Sequence, residues 1–588
     1  MEMENEVFSL LKEWCDRLLS LQITEIEDTS LSGALLCPAC NSIHGRCADA
    51  VYPLLLMSDA TGESCYAEAA KQLVEWTERN VLRQNGSYYN DVNNPWRGIT
   101  VFSCIAISEA LLHHGHVLDC ETRGRWEKIV NRQANFLYHY FTRENYRTNI
   151  NYVASCAAAL ACVWKLGGNE KYKTRAAEWI AYLKGNIAPD FLITGEYYNH
   201  KHTTEKGCKA VDLGYNVEET LPNLVLAAQI LGDRESMDVF ARSMAAHLEF
   251  MLPDGAWDNS WGCRHAKWTY YGSRTTDGCQ LALVHLLEQD PVFGEAAWRN
   301  LMLYRRLTGD GLLYGGAMYR EAGEPPCIHH TFCHAKALAA MLNTGFKTAP
   351  RQSVALPREK EYGVRYFESV HVHLISKFGW KATISDYDMP EKPSGGALTI
   401  LWHNAAGPLC AASMNSYSLV EPYNMQMPRH SEEDFCQTPR IEYLSGGKRH
   451  MSINDTGARV SVSESQDAVN ISVSGHLLRS ENSRTGVFSL RYVFSPDSLR
   501  IRVLSEDGGE YILPLVSSYS DEVRVSGDAL QIRTSKAVIT VEASVPVRLK
   551  SAPNERRFNP VGGFLTLPIY AELKPGEEIE LRLRVTNS

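Results

Sequence analysis

Four acidic side chains, Glu218, Glu219, Asp258 and Asp277, lie at loops or helix starts where they could act as acids or bases. Hydrolysis of a glycosidic bond needs two carboxyl groups, one to protonate the leaving oxygen and one to activate water or attack the sugar. Glu218 and Glu219 are neighbours on a helix, so their side chains diverge by about 100° and only one should face a shared pocket. Each acid could instead complement a helix dipole.

Aromatic, amide and basic side chains recur in the surrounding loops. Aromatic faces suit sugar rings, and arginine pairs with a carboxylate through two parallel hydrogen bonds. The predicted substrate-binding residues are His44, Arg46, Trp96, Arg97, Asn151, Tyr215, Trp261, Arg264, Trp268, Tyr271, Arg274 and His330. We expect Arg97 and Arg274 to hold a uronate carboxylate. The tryptophans at 257, 261 and 268 predict a binding wall, with core packing as the alternative.

A second chemistry, β-elimination, is indicated by the cluster from Tyr197 to His202. This reaction needs a group that neutralises the uronate carboxylate, a base, and an acid for the leaving oxygen. The cluster offers Tyr, Asn and His, but it could also be a hydrophilic surface loop. Further candidates from the second half of the chain are His371, His373, Tyr387 and Arg429. A third alternative is a glycan-binding protein without catalysis.

One cysteine-rich segment has the spacing of a metal site. Cys37, Cys40, His44 and Cys47 form C-x2-C-x3-H-x2-C, an arrangement of soft ligands that is typical of tetrahedral zinc. However, Cys47 should begin a helix, which would turn His44 and Arg46 towards a pocket. The sequence leaves this structural zinc site open, and no other cofactor is expected.

The elements that position these residues are predicted from hydrophobic periodicity. One class of helix, small and apolar, begins near Ala48, Ile99, Asn151, Asn216, Arg274 and His329. Partner helices with charged faces are predicted near 3–21, 63–82, 120–141, 169–186, 233–252 and 291–306. The apolar class should be inner and the charged class outer. Six of each predict an (α/α)6 toroid over residues 1–345, with the loops before the inner helices meeting at one pocket.

The second half of the chain has a different pattern. After about position 349, β-branched residues alternate with polar ones between turn residues, which predicts a linker over 346–361 and a large antiparallel β-sandwich over 362–588. A chain of 588 residues also exceeds the size of a single core. The predicted fold class is therefore multidomain α + β.

Composition excludes several classes of protein. The net charge of -10 is spread along the chain without a basic stripe, which argues against nucleic acid, and no apolar stretch is long enough to span a membrane. Many of the 16 cysteines lie in apolar helices and the N-terminus has no visible signal peptide, so a cytoplasmic location is expected. A homo-oligomer is left open.

Four segments carry a family resemblance: Cys37–Tyr52 (CPACNSIHGRCADAVY), Gly214–Pro222 (GYNVEETLP), Asp258–Cys279 and His329–Leu338. In these segments the chain resembles heparinase II/III-like proteins, and among them the β-glucuronidases of glycoside hydrolase family 154. The resemblance implies a toroid with a sandwich and a uronate-containing oligosaccharide as substrate. The main hypothesis is an exo-acting hydrolase that removes terminal β-linked glucuronic acid, and a uronate lyase is the alternative.

Overall fold

The structure, a computed structural model, describes residues 2–24, 27–90, 94–146, 148–196, 203–344, 353–389, 392–415, 436–478, 484–550 and 555–588. Helices dominate the first part. They are α1 (Glu2–Ser20), α2 (Val51–Thr61), α3 (Ser64–Asn80), α4 (Thr100–His114), α5 (Cys120–Tyr140), α6 (Ile150–Lys165), α7 (Glu170–Lys184), α8 (Leu213–Tyr215), α9 (Leu221–Leu231), α10 (Arg234–Leu248), α11 (Gln280–His285), α12 (Val292–Leu307) and α13 (Ile328–Asn343).

The helices form a closed double ring. Helices α2, α4, α6, α9, α11 and α13 each contact the next, and α13 contacts α2. These inner helices are buried on nearly all sides, as in α6, where every residue from Val153 to Val163 is buried. The outer helices α1, α3, α5, α7, α10 and α12 bury one face only, because their charges require solvent. The predicted (α/α)6 toroid is confirmed.

The fourth inner helix contains a π-helical turn. Asn216–Thr220 joins α8 to α9, and Pro222 follows at the second position of α9. A proline in a helix has no N–H and so cannot bond the carbonyl oxygen four residues earlier, here that of Glu218. The backbone N–H of Gly278 donates to this oxygen instead, at 3.0 Å. The π turn is therefore tied to the neighbouring loop.

Strands begin with two short hairpins inside the helical domain, and the first of them delays the start of the fifth inner helix from the predicted Arg274 to Gln280. The strands are β1 (Trp268–Thr269), β2 (Gly272–Ser273), β3 (Thr308–Gly309), β4 (Leu312–Leu313), β5 (Gly363–Phe367), β6 (Val372–Lys377), β7 (Trp380–Ser385), β8 (Ala397–His403), β9 (Gly407–Ala411), β10 (Arg440–Ser445), β11 (Lys448–Met451), β12 (Arg459–Glu464), β13 (Val469–Leu478), β14 (Arg484–Phe494), β15 (Leu499–Ser505), β16 (Gly509–Val516), β17 (Glu522–Ser526), β18 (Ala529–Arg533), β19 (Ala537–Ala543), β20 (Val547–Arg548), β21 (Arg557–Asn559), β22 (Phe564–Leu573) and β23 (Ile579–Asn587).

The second half is an antiparallel sandwich, as predicted. Strands β5 to β9 form one sheet in chain order, and the larger sheet has the order β17-β18-β19-β23-β15-β14-β13-β11-β10-β16-β22-β20, with β12 beside β13 and β21 beside β22. Alternate side chains of the two sheets meet in one core, where Trp380 and Leu398 of the small sheet join Phe488 and Tyr511 of the large one.

The two domains are joined by buried polar and apolar contacts. Arg358, in the segment before β5, pairs with Asp258 at 2.7 Å and donates to the Ala382 carbonyl oxygen at 2.7 Å. The rings of Phe250 and Phe367 lie 4.6 Å apart across the same interface. The sandwich therefore covers part of the helical domain. Among the described residues, helices long and apolar enough to cross a membrane are absent.

Candidate active site

All six inner helices, or the loops before them, contribute to one cleft of about 330 Å³. Its lining consists of His44, Arg46, Asn90, Asn94, Trp96, Ile99, Phe102, Asn151, Tyr152, Tyr215, Glu219, Lys267, Thr275 and His329. The residues come from positions between 44 and 329 of the chain, so only the closed ring brings them together. The cleft combines an aromatic wall, amides, a carboxyl group and cations.

Glu219 is the acidic residue that lines the cleft. Asn151 Nδ2 donates to its Oε1, while among the described residues its Oε2 has no hydrogen-bond partner. Burial raises the pKa of Glu219 to about 8, and the nearby charge of Asp277 adds to the shift against the opposing effect of Arg46. Glu219 is therefore largely protonated at neutral pH, and its Oε2 is a buried oxygen that lacks a hydrogen-bond partner among the described residues.

Tyr215 and Lys267 form a hydrogen-bonded pair in the same cleft. Lys267 Nζ lies 2.9 Å from Tyr215 Oη, which also bonds the hydroxyl of Thr275. Burial and the charge of Arg264 together lower the pKa of Lys267 to about 7, so the amine is partly neutral at neutral pH. Burial raises the pKa of the Tyr215 phenol, which keeps its proton. Arg264 stacks 3.9 Å from the centre of the Tyr215 ring.

Arg46 and Asp277 belong to a balanced charge cluster at the base of the cleft. Arg46 pairs with Asp49 at 2.7 Å and with Asp277 at 2.6 Å, and Lys336 pairs with Asp277 at 2.8 Å and with Asp49 at 3.3 Å. Although burial opposes ionisation, Lys336 and Arg46 lower the pKa of Asp277. Asp277 is thus an ionised counter-ion of two cations, and a proton donor is not to be expected there.

Glu218 points away from the cleft, as the divergence of neighbouring helix residues requires. Its carboxylate accepts from Ser273 N at 2.7 Å, Thr276 Oγ1 at 2.6 Å and Tyr304 Oη at 3.1 Å. These partners fix the hairpin β1–β2 against the helix. Asp258 lies further away, fully buried between Arg358, Ser260 and Thr383 at the domain interface. Both carboxylates stabilise the fold, and neither lines the cleft.

The predicted substrate-binding residues divide into two groups. His44, Arg46, Trp96, Asn151 and Tyr215 line the cleft, and Arg264 lies directly behind Tyr215.

The other predicted residues lie elsewhere, and all of them except Arg97 are covered by the second domain or the ring core. Trp261 and Trp268 are 0% exposed in the core, and Tyr271 and His330 hydrogen-bond each other in a buried site. Arg274 donates to the Pro560 carbonyl oxygen of the sandwich, which excludes it from uronate binding in this arrangement. Arg97 is exposed and is not part of the cleft lining.

The remaining candidates are the cluster from Tyr197 to His202 and four residues from the second half of the chain. Tyr197 to His202 and Arg429 lie outside the described residues. His373 stacks on Tyr366, and Tyr387 Oη donates to the Lys209 carbonyl oxygen at 2.6 Å, so both support the structure away from the cleft. His371, next to this pair, stands outside the cleft lining as well.

The sequence interpretation assigned no role to several cleft residues, above all Lys267. This lysine lies in the Trp-rich stretch, and a lysine among three tryptophans is the signal that could have found it. Tyr152, adjacent to the predicted Asn151, also lines the cleft and had no assigned role. Asn90, Asn94, Thr275 and His329 also line the cleft and had no assigned role.

A Cys/His cluster is present beside the cleft, with one member different from the predicted set. The ligand atoms of Cys37, Cys40, His44 and Cys327 all lie within 4.8 Å of one another. Cys47 is not a member, because it lies in the short 3-10 helix Gly45–Ala50 and is packed into the core with 0% exposure. Cys327 replaces it, from a helix that is adjacent only after the ring has closed.

Solved structures identify the class of architecture. A crystal structure of heparinase III is similar over 97% of this chain and 79% of its own, with a TM-score of 0.55 and 11% identity. A second heparinase III structure covers 98% of this chain and 84% of its own, with a TM-score of 0.51 and 9% identity. The fold is therefore the toroid-plus-sandwich of heparinase III, as the sequence resemblance implied.

The family follows from the sequence profiles and a relative. The profile of the ulvan lyase N-terminal domain matches residues 11–359, and that of the ulvan lyase C-terminal domain matches residues 364–586. A broad-specificity ulvan lyase of Formosa agariphila is 40% identical over 595 residues, which cover 97% of this chain and 92% of the relative. The chain belongs to the ulvan lyase family.

These findings correct the main functional hypothesis. The expectation of a glycoside hydrolase that removes glucuronic acid is wrong, since the profiles and the relative are those of lyases. The narrower resemblance to family 154 β-glucuronidases is not supported either. The elimination alternative agrees with the family.

Proposed function

We propose that this protein is a polysaccharide lyase that cleaves ulvan by β-elimination at a uronate bound in the cleft. The observation that carries the proposal is the presence, in one cleft, of a carboxyl group with a raised pKa, Glu219, and a Tyr215–Lys267 pair with a lowered amine pKa. Such opposed shifts separate groups that hold protons from groups that accept them. The 40% identity to an ulvan lyase supports the choice of substrate.

The first requirement of elimination is a neutralised uronate carboxylate, because the proton at C5 becomes acidic only when the adjoining negative charge is offset. Protonated Glu219 would donate a hydrogen bond from Oε2 to the uronate, while Asn151 holds Oε1 in place. This hydrogen bond strengthens as negative charge develops on the uronate carboxyl group in the transition state.

The second requirement is a path for the proton. Tyr215 Oη would take the proton from C5 as its own proton passes to the neutral amine of Lys267, 2.9 Å away. Passage in the reverse direction delivers a proton to the glycosidic oxygen as the C4–O bond breaks and the C4–C5 double bond forms. Each group returns to its starting state, and water is not consumed. Only side chains of this chain take part, so the proposed reaction needs no cofactor.

The test is an incubation with ulvan, read by ultraviolet absorbance and by product mass. Elimination predicts a growing absorbance from the unsaturated uronate and products whose masses add up to the substrate without water. Products that gain one water per cleavage and lack the absorbance would overturn the proposal. Binding without turnover would leave the alternative of a glycan-binding protein.

A matched pair of variants locates the chemistry. Tyr215→Phe should lower kcat about 100- to 10,000-fold, the usual contribution of a general acid–base group. Tyr271→Phe removes a buried phenol that bonds His330 outside the cleft lining, and it should stay within about tenfold of the wild type. Equal losses in the two variants would contradict the assignment of Tyr215.

A further inference from the structure

The Cys/His cluster joins the two ends of the helical ring. Cys37, Cys40 and His44 lie on the segment before α2, whereas Cys327 is the N-cap residue of α13. Cys37 and Cys327 are 290 residues apart, yet their Sγ atoms are separated by 3.5 Å. The cluster thus lies at the seam where the last inner helix meets the first.

We propose that Cys37, Cys40, His44 and Cys327, the seam cluster, bind one zinc ion. In a tetrahedral Cys3His site, bond lengths of about 2.3 Å to sulfur and 2.0–2.1 Å to nitrogen place the ligand atoms about 3.6–3.8 Å apart. His44 Nε2 lies 3.3 Å from Cys40 Sγ and 3.5 Å from Cys327 Sγ. These distances need an expansion of only a few tenths of an ångström to fit the ion.

The surroundings favour thiolates. Ser42 Oγ donates to Cys40 Sγ at 3.1 Å, and the backbone N–H of His329 donates to Cys327 Sγ at 3.4 Å. Such hydrogen bonds orient and stabilise metal-bound sulfur. Asn41, with φ of 48°, closes a tight turn by donating its N–H to the Cys37 carbonyl oxygen at 3.0 Å, and this turn brings the thiols of Cys37 and Cys40 to one side.

A second group of potential ligands in the described part of the chain provides a contrast. Asp49, Asp277 and Cys333 are also close together, but the two carboxylates already pair with Arg46 and Lys336. A metal there would have to displace two buried cations. The seam cluster instead brings three thiols and one imidazole into contact with one another, a set of soft ligands that suits zinc.

Four protein ligands complete the coordination of zinc, which makes this a structural site rather than a catalytic one. The ion would fasten α13 to the segment before α2, two parts of the ring that are distant in the chain. It would also fix the ring of His44, which lines the cleft. Because metal binding contributes directly to folding, the ring should be less stable without it.

The experiment measures zinc in the 588-residue chain by elemental analysis, in the wild type and in two serine variants. We expect about one zinc per chain in the wild type and in Cys47→Ser, and less than about a tenth in Cys327→Ser. Cys47→Ser is the matched control, since Cys47 is buried nearby and has the ligand spacing in sequence. Cobalt reconstitution of the wild type and Cys47→Ser should give thiolate-to-metal absorption that Cys327→Ser lacks.

The outcomes decide the proposal. It is overturned if reduced wild-type protein incubated with zinc binds less than about a tenth of an equivalent, or if Cys327→Ser keeps the metal that Cys47→Ser loses. If either variant does not fold, the wild-type stoichiometry and cobalt spectrum still decide. Tyr215→Phe should retain its zinc, so a failure of the proposed lyase chemistry is distinguishable from a failure of the zinc proposal.

Discussion

Two regions of the helical domain combine candidate acids with aromatic side chains: the start of the fourth inner helix, from Leu213 to Thr220, and the segment 254–277. The helix start places Tyr215 and Glu219 in the cleft. Most of the second region lies in the core or at the interface with the sandwich, where Asp258 pairs with Arg358. Only Lys267 and Thr275 of that segment reach the cleft.

The two regions differ in how their charges are satisfied. The interface carboxylate of Asp258 has a cation at 2.7 Å and hydroxyl partners, so it contributes to docking of the domains. Burial and the nearby charge of Asp277 raise the pKa of Glu219 to about 8, although the Asn151 amide that bonds its Oε1 opposes the shift. Residue type alone therefore does not separate a structural acid from a functional one; the neighbouring groups do.

The largest expected effect comes from breaking the interface charge pair. Asp258→Asn should lower the free energy of unfolding by about 3–5 kcal/mol, because Arg358 is left buried without its counter-ion. Glu219→Gln, which replaces a largely protonated acid by an amide, should cost less than about 1 kcal/mol. Denaturant unfolding measures the loss of unfolding free energy in each variant. Equal losses would show that the contrast between the two acids is mistaken.

The pH dependence of activity tests the roles of Glu219 and Lys267 in the cleft. Since the proposed neutraliser is protonated Glu219, kcat/KM should be lost as pH rises through about 8, by about tenfold per pH unit. Since neutral Lys267 accepts the proton, activity should also be lost as pH falls through about 7.

In Glu219→Gln the alkaline fall should disappear, because an amide remains a donor at every pH. The neighbouring variant Glu218→Gln is the control and should keep the wild-type profile, since Glu218 is bound to Ser273 and Thr276 away from the cleft. An unchanged alkaline limb in Glu219→Gln would remove Glu219 from the proposed reaction.

The smallest effect is expected at Arg97. This arginine is exposed and does not line the cleft, so Arg97→Ala should change KM for ulvan by less than about twofold. A rise in KM of more than about tenfold would instead support the sequence interpretation that Arg97 binds the uronate, and would place that residue in the site.

The fold was largely predictable from the sequence, because the alternation of small apolar and charged helices follows directly from which side of each helix is buried. The switch to β-branched alternation located the sandwich for a similar reason. The delayed start of α11 at Gln280 was not predictable, since the hairpin β1–β2 depends on contacts with Glu218 from another helix.

The site was predicted in part. Asn151, Tyr215 and Glu219 were found because loops before the inner helices must converge in a closed ring. Trp261, Trp268 and Arg274 were misleading because the sequence does not show which loops the second domain covers. Cys327 could not be assigned to the Cys/His cluster, since its proximity to Cys37 arises only from closure of the ring.

The hydrogen bond from Gly278 N–H to the Glu218 carbonyl oxygen, which replaces the one that Pro222 cannot make, has a consequence for the reaction. It locks the helix that carries Tyr215 to the loop that follows Lys267 and Thr275. The acceptor and relay of the proposed proton transfer therefore belong to one rigid frame. Little reorganisation energy should be spent on aligning them when a polysaccharide enters.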